Sequence, residues 1–343
     1  MSILRGLATG VGSLPHKDAD SAIDLIFKYL PRIPFWPQLP KRSLREGMVA
    51  QFSENLPCVE LTDDGLLYRP LDREGGLEKF YEKIIENDVD YFKITPNCSQ
   101  GIYSFTRKLR NQDLKSIEFI KCHITGPFTF TASLKDEKDI LLLHDPVFLQ
   151  VVIKGLVMKA LWQVKFLKEF GKKVIMFIDE PYLGSFGSAY TSVTREQAIA
   201  GLKELAQGIK SESTLVGVHC CGNTDWSIFT DVGPIDIINF DAYNFLDKFV
   251  LYAQDLGKFM KKGGAICWGI VPTQEFSGRE TAQSLLSRLK QGMDSLVKKG
   301  VDAKLLNENL LISPACGLGT LSQDTAQKLL GLLSEISKTL QNT

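Results

Sequence analysis

Short apolar runs alternate with long amphipathic segments along most of the chain, and this alternation constrains the fold more than any other feature of the sequence. A strand of a parallel sheet that is buried on both faces is almost continuously apolar. A strand with one solvent-exposed face instead alternates apolar and polar residues. Five runs are of the continuous kind: 172–179, 214–220, 235–241, 264–270 and 309–314. Three weaker runs bring the predicted strands to eight: 7–13, 33–38 and 117–124.

The segments between the runs carry helix start and stop signals. Asp145 followed by Pro146 predicts a capped helix start with a first-turn proline, and Gly171 predicts the end of the same helix. Capping-box patterns predict two more starts, at Thr194 and Ser277. The stretch 40–115 is longer than one strand–helix unit needs, and it is predicted as an elaborated loop with helices near 74–87 and 99–110.

Eight strand–helix units in 343 residues predict an α/β fold, a single (β/α)8 TIM barrel over residues 1–343 with the elaborated loop after strand two. A doubly wound open sheet is the alternative. A dinucleotide-binding version of that sheet has no support, because no G-x-G-x-x-G pattern opens a helix.

Charge and composition narrow the classes of function. Lys+Arg and Asp+Glu both number 40, so no basic field is available for nucleic acid. The longest apolar segment, 146–170, carries four lysines, which argues against a membrane span. The N-terminus has Arg5 within its apolar part and does not resemble a signal peptide, which predicts a cytoplasmic protein. Seven cysteines in that compartment are expected to be free or metal-bound thiols.

Residues of metal-ligand type occur where the late strands end, which is where TIM barrels place their chemistry. His219 and Cys221 end the fifth strand, Asp241 ends the sixth, and Cys316 follows the eighth. Successive side chains of a strand point to opposite faces, so His219 and Cys221 share a direction and Cys220 points toward the helices. One imidazole, two thiolates and a carboxylate in a tetrahedral arrangement favour zinc.

The chemistry of this donor set indicates what the zinc would do. An H-x-C pattern alone is also explained by a core histidine beside a buried cysteine, but ligands spread over three strands fit a catalytic site better than a structural one. Two thiolates and a carboxylate leave about one net negative charge on the site, which makes the ion a poor Lewis acid and a good holder of a substrate thiolate. Asp241 supplies a carboxylate, the ligand that suits a thiophilic metal least, and it is expected to leave when the substrate sulfur arrives. The pattern predicts alkyl transfer to a zinc-bound thiolate.

Seven short motifs occur in the order found in one known family and span nearly the whole chain: TGVGSLP (9–15), EGMVAQF (46–52), TGPFT (125–129), IDEP (178–181), HCC (219–221), INFD (238–241) and SPACGL (313–318). With them the chain resembles the catalytic C-terminal barrel of cobalamin-independent methionine synthases, in a short form.

The resemblance implies a site and a reaction. The zinc ligands would be His219, Cys221, Asp241 and Cys316, and homocysteine would be the methyl acceptor, giving methionine. Ser13 and the neighbouring backbone at Gly12 would hold the substrate carboxylate, and Asp179 would hold its ammonium group. His219, Cys221, Cys316 and Asp179 would then form the catalytic set. Without the resemblance, Asp179 is equally well explained as a solvated strand-end acid, and Ser13 as part of a turn.

Three departures from the family pattern matter. Asp241 stands where the family usually has Glu, and this shorter side chain implies weaker or rearranged coordination. The family's H-G-E stretch after the second strand is missing, and Gln38 is the nearest polar candidate for binding the amino acid. The chain also matches only the catalytic barrel, whereas ordinary members carry a further barrel that contributes to folate use. The expected donor is therefore a methylated corrinoid, such as methylcobalamin or a corrinoid protein, rather than methyl-tetrahydrofolate.

Two other functions stay open. A methylcobalamin:thiol methyltransferase with another acceptor, such as coenzyme M, would share the H-x-C pattern and the late cysteine, although Ser13 and Asp179 favour an α-amino acid. A non-catalytic thiol-binding protein would be consistent with Asp241 in place of Glu.

Overall fold

The structure, a computed structural model, describes residues 4–188 and 191–342. Its strands are β1 (Leu7–Ala8), β2 (Val59–Thr62), β3 (Gly65–Tyr68), β4 (Phe119–Thr125), β5 (Lys173–Asp179), β6 (Thr214–Cys220), β7 (Ile237–Phe240), β8 (Ala265–Val271) and β9 (Leu310–Pro314). Its helices are α1 (Ala19–Tyr29), α2 (Arg73–Ile85), α3 (Gln100–Arg110), α4 (Pro127–Ala132), α5 (Pro146–Leu167), α6 (Arg195–Ile209), α7 (Ser227–Asp231), α8 (Leu246–Phe249), α9 (Ala253–Lys261), α10 (Ala282–Lys298), α11 (Ala303–Glu308) and α12 (Gln323–Gln341).

Seven of the strands form one parallel sheet, in the order β1-β9-β8-β7-β6-β5-β4. Each neighbouring pair in that order runs parallel, and the helices occur in the connections between strands. An α/β fold with a parallel sheet is therefore confirmed. The remaining strands, β2 and β3, form a separate antiparallel hairpin that the sequence analysis did not predict.

The stretch 33–38, predicted as the second strand, is not a continuous strand in the structure. It instead makes isolated parallel bridges to both edges of the sheet, through Gln38 to Ser13 after β1 and through Phe35 to Lys121 of β4. Its two prolines, Pro34 and Pro37, have no N–H group to donate to a ladder, which explains why the pairing is interrupted. Backbone hydrogen bonds still join both sides, since Gln38 N donates to Gly12 O (3.0 Å) and Lys121 N donates to Pro34 O (2.9 Å).

Two of the predicted helix starts are confirmed and one is wrong. Asp145 caps α5, accepting from the N–H groups of Val147 and Phe148, and Thr194 with Gln197 forms the capping box of α6. The start predicted at Ser277 lies in a turn before the helix. There α10 begins at Ala282, because Thr281 and Ser284 form the capping box.

The two faces of the parallel sheet have separate apolar clusters. One face packs against the helices, and Cys220 belongs to that cluster, as the alternation of side chains predicts. The other face encloses a smaller cluster. Its buried members are Leu4, Leu7, Ile33, Phe119, Ile175, Phe177, Ile237, Ala265, Cys267 and Leu311. We call this second face the inner face of the sheet.

Among the described residues, one helical stretch, Pro146–Phe170, is long and apolar enough to cross a membrane by length and composition. In its most apolar window, 61% of the residues are buried inside the protein, which is typical of the core helix of a globular domain. Lys159, near the middle of α5, is itself fully buried.

Candidate metal and substrate site

Polar residues form a row across the carboxyl ends of neighbouring strands. Asp179 of β5 is the register partner of Thr125 of β4 and of His219 of β6, and His219 is the partner of Asn239 of β7. Register partners on adjacent strands point to the same face, and Asp179 lies two residues beyond Phe177 of the inner cluster. The row therefore faces inward, where its side chains are almost completely buried.

Three side chains next to this row form a candidate metal site. One ligand atom each of His219, Cys221 and Cys316 lies within 4.8 Å of the other two, and no other such group of three or more is found in the described part of the chain. Cys221 follows the last residue of β6, and Cys316 lies two residues beyond β9. His219 Nε2 is buried and has no hydrogen-bond partner. A buried nitrogen is rarely left unsatisfied, and an imidazole with two thiols is a donor set that zinc accepts, so the residues present fit this ion.

Asp241, the fourth predicted ligand, lies outside this group. Its Oδ1 accepts hydrogen bonds from the backbone N–H groups of Tyr243 and Asn244, both at 2.9 Å, and its Oδ2 accepts from Asn244 Nδ2 at 2.8 Å. The carboxylate thus stabilises the turn that follows β7. Aspartate commonly bonds the backbone two residues ahead in this way, a signal that the strand-end argument did not weigh.

The two thiols of the group differ in acidity. The hydrogen bond between Cys221 and Cys316 lowers the pKa of Cys316, a trend that burial opposes and that the neighbouring His219 reinforces. The same bond, together with burial, raises the pKa of Cys221. Burial alone would lower the pKa of His219, but contact with Cys316, Asp179 and Asn239 raises it on balance. Cys316 is therefore the thiol that ionises first.

Asp179 presents a buried carboxylate oxygen, Oδ1, that has no hydrogen-bond partner. Burial raises the pKa of Asp179 to about 6, and the charges of Lys121 and His219 limit the rise. Lys121 is fully buried on β4, and its Nζ donates to Val11 O. A carboxylate in this setting gains from an incoming cation, because the cation would supply the partner that Oδ1 lacks.

Ser13 connects the start of the chain to the loop that carries Cys316. Its Oγ accepts a hydrogen bond from Gly319 N (3.1 Å), and its carbonyl oxygen accepts one from Leu318 N (2.9 Å). A Cβ at Gly317 would lie 2.3 Å from Ser13 Oγ, so only glycine permits this approach. The Ser13 hydroxyl hydrogen is left available for a ligand. Beside it, Gln38 Nε2 is buried without a partner, and Gly12 O is already used by Gln38 N.

Sequence reasoning missed two buried residues here, Glu180 and Asn239. No role is assigned to Glu180 from the sequence, but it is fully buried and accepts hydrogen bonds from the backbone at the start of α4. Asn239 was counted as one position of an apolar run. A polar residue two positions before Asp241, on the same face of a buried strand, was the signal available in the sequence.

Comparisons with known proteins bear on the whole chain. A family model described as "Cobalamin-independent synthase, Catalytic domain" matches residues 103–339. A B12-independent methionine synthase from Shewanella sp. W3-18-1, solved in complex with selenomethionine, has 17% sequence identity and a TM-score of 0.60, with 98% of each chain covered. A putative vitamin-B12 independent methionine synthase from Listeria monocytogenes has 16% identity and a TM-score of 0.44, covering 65% of this chain and 64% of that one. No match was found among curated proteins.

At 17% identity, the likeness to the Shewanella protein shows a shared fold. The family model carries the stronger conclusion, since it spans well over half of the chain and includes β4 to β9 with the His219, Cys221 and Cys316 group. The chain therefore belongs to the cobalamin-independent synthase family, as a member that contains its catalytic domain.

Proposed function

We propose that the protein is a zinc-dependent methyltransferase that methylates homocysteine to methionine. Family membership supports a methyltransferase of the methionine synthase type. Zinc dependence is supported by the group of His219, Cys221 and Cys316. The Nε2 atom of His219, which has no hydrogen-bond partner, is one of their ligand atoms.

His219, Cys221 and Cys316 would hold the ion, and Asp241 remains the proposed fourth ligand. Zinc, when bound, would keep the homocysteine sulfur as a thiolate at neutral pH. The Asp241 carboxylate already accepts hydrogen bonds from Tyr243 and Asn244, and these compete with coordination of the ion. That competition makes it the weakest ligand of the four and the one that an incoming thiol would replace.

The remaining residues would orient the amino acid. Asp179 would accept the substrate ammonium group, since its buried Oδ1 has no other partner. The Ser13 hydroxyl would donate to the substrate carboxylate, with the backbone at Gly12 and the side chain of Gln38 beside it. Because Ser13 is tied to the Cys316 loop, the carboxylate and the sulfur of one substrate molecule would be positioned by connected parts of the fold.

We further propose that the methyl donor is methylcobalamin or another methylated corrinoid, with methyl-tetrahydrofolate as the alternative. This preference is motivated by the altered loop that follows residue 38, where the sequence departs from the family pattern. We also infer that residues 1–343 form a single cytoplasmic domain, a closed (β/α)8 barrel in which 33–38 takes the place of the second strand. The bridges from this stretch to both edges of the sheet support the closure.

The test combines metal analysis with assays of both donors. Protein purified without chelators should contain about one zinc per chain, and it should form methionine from homocysteine with at least one donor. Turnover only with methyl-tetrahydrofolate would refute the corrinoid proposal. Turnover of coenzyme M in preference to homocysteine would favour the other thiol methyltransferase, and zinc-dependent thiol binding without turnover would indicate a non-catalytic protein.

A further inference from the structure

Asn239 is a fully buried polar residue that the proposed reaction does not use. It lies on β7 as the register partner of His219, on the inner face of the sheet. A buried amide has two donors and one acceptor to satisfy, so the partners of Asn239 define how it is oriented.

Every hydrogen-bonding group of the Asn239 amide is used. Nδ2 donates to the backbone oxygen of Cys267 (2.8 Å) and to Ser313 Oγ (2.9 Å), while Oδ1 lies 2.5 Å from His219 Nδ1. The Ser313 hydroxyl in turn donates to Pro314 O (2.8 Å), so its oxygen is the acceptor toward Asn239. Four consecutive strands, β6 to β9, therefore contribute to this network.

The network decides which way the amide faces. A backbone carbonyl can only accept, so the NH2 group must face Cys267 O, and the oxygen must face His219. The nitrogen Nδ1 of His219 must then carry the hydrogen that Asn239 accepts. In a neutral imidazole this leaves the lone pair on Nε2, the ring nitrogen that is buried without a partner.

We propose that Asn239, anchored by Cys267 O and Ser313, is a positioning residue that turns His219 Nε2 toward the metal site shared with Cys221 and Cys316. This inference rests on the proposed zinc function. It adds to that function the residue that orients one zinc ligand, His219. Metal-bound histidines generally donate their other N–H to an oxygen, and that oxygen sets the orientation of the ring. Here the oxygen belongs to a neutral amide, so it adds no charge to a site that already has two thiols.

The test measures zinc affinity by chelator competition in three variants. Asn239→Leu keeps the approximate shape and removes all the hydrogen bonds, so zinc binding should weaken by about 10- to 100-fold. Ser313→Ala removes one hydrogen-bond partner of the Asn239 amide and should weaken zinc binding less than Asn239→Leu does. Ile237→Val, two residues earlier on the same face of β7, is the matched control and should leave zinc affinity unchanged.

A second measurement needs no metal. The chain has four histidines, so nitrogen NMR of the metal-free protein, at a pH high enough to keep the ring neutral, can assign the tautomer of His219. In the wild type, His219 should carry its hydrogen on Nδ1. The fraction of this tautomer should fall in part in Ser313→Ala, and the preference for it should be lost in Asn239→Leu. Unchanged zinc affinity and an unchanged tautomer in Asn239→Leu would overturn the inference. Wild-type protein that binds no zinc would overturn the zinc proposal instead, and the tautomer would still decide whether Asn239 orients the ring.

Discussion

The carboxylate of Glu180 accepts a hydrogen bond from the backbone N–H of Thr129, 2.8 Å away, and so joins the loop after β5 to the first turn of α4. The Phe128 N–H donates to the same carboxylate at 3.0 Å, and Thr129 Oγ1 donates as well. Gly126 is required beside it, because a Cβ there would lie 2.0 Å from Glu180 Oε2. Glu180 is thus a structural residue, although its neighbour Asp179 faces the site.

Replacing Glu180 with Ala should therefore destabilise the protein. The variant leaves two buried backbone N–H groups and one hydroxyl without an acceptor, which predicts a loss of about 1–3 kcal/mol in the free energy of unfolding. Urea denaturation of the wild type and the variant measures this loss. Glu169→Ala removes an exposed carboxylate and should change the midpoint much less. Equal midpoints for wild type and Glu180→Ala would contradict the assignment.

Lys159 should make stability depend on pH in the alkaline range. It is fully buried in α5, its Nζ has no hydrogen-bond partner, and burial lowers its pKa from 10.5 to about 8, with Glu54 opposing the shift. Below pH 8 the side chain is charged in both the folded and unfolded states, and folding carries the full cost of burying the charge. Between pH 8 and 10.5 the folded state binds fewer protons than the unfolded state, so wild-type stability gains with rising pH.

Lys159→Met should therefore be more stable than the wild type at pH 7, by roughly 3 kcal/mol for a shift of this size. This gap, the difference in the free energy of unfolding between variant and wild type, should close as the pH approaches 10.5. Denaturant titrations at several pH values measure it. Lys165→Met is the matched control, since Lys165 lies on the same helix, is exposed and pairs with Asp90. A gap that is constant with pH would show that the pKa of Lys159 is the same in the folded and unfolded states, and would contradict the effect of burial.

The three clustered ligands should matter more for zinc than Asp241. Cys316→Ser should weaken zinc binding by about 100-fold or more, since the total binding energy of such sites is shared among few ligands. Asp241→Ala should weaken zinc binding by about tenfold or less, because this carboxylate already accepts hydrogen bonds within the turn at Asn244. Chelator competition gives both values. A larger loss in Asp241→Ala than in Cys316→Ser would reverse the proposed order of ligand strength.

Asp179→Asn should raise the KM for homocysteine by about 10- to 100-fold, with zinc content unchanged, because the substrate ammonium group loses its charged partner. The sharp control is 4-mercaptobutanoate, which has the thiol and the carboxylate of homocysteine but no amino group. Wild type and variant should bind this analogue to the zinc site equally well. If the variant lost affinity for both compounds alike, Asp179 would act on the metal site and not on the amine.

The parts of the fold that follow from local rules were accessible from the sequence. The runs that became β5 and β6 are apolar at nearly every position, and the capping signals at Asp145 and Thr194 act within three residues. The hairpin of β2 and β3 was not predicted, although Asp63 and Asp64 at its turn and Gly65 directly after them are turn-forming residues, because only helices were predicted for the elaborated region.

The candidate site, like the fold, has features that the sequence predicts and features that only the folded structure shows. The alternation of side chains along a strand explains why His219 and Cys221 can lie together, and parallel strand ends explain why Cys316 lies near them. Local rules do not reveal which of several polar strand-end groups is already engaged. Asp241 is engaged by its own turn and Asn239 by residues of β8 and β9, and both facts depend on hydrogen bonds that only the folded chain displays.

The ligands of the metal group are far apart in the chain, and this separation has a consequence for assembly. While the protein is being synthesised, a chain that has emerged only as far as β8 offers two of the three clustered ligands, His219 and Cys221, together with the weaker proposed ligand Asp241, and would bind a metal weakly. Cys316 joins them only when β9 inserts between β1 and β8. Capture of the ion should therefore coincide with the joining of the first and last strands, so a cell short of zinc would accumulate chains in which that final insertion is readily reversed.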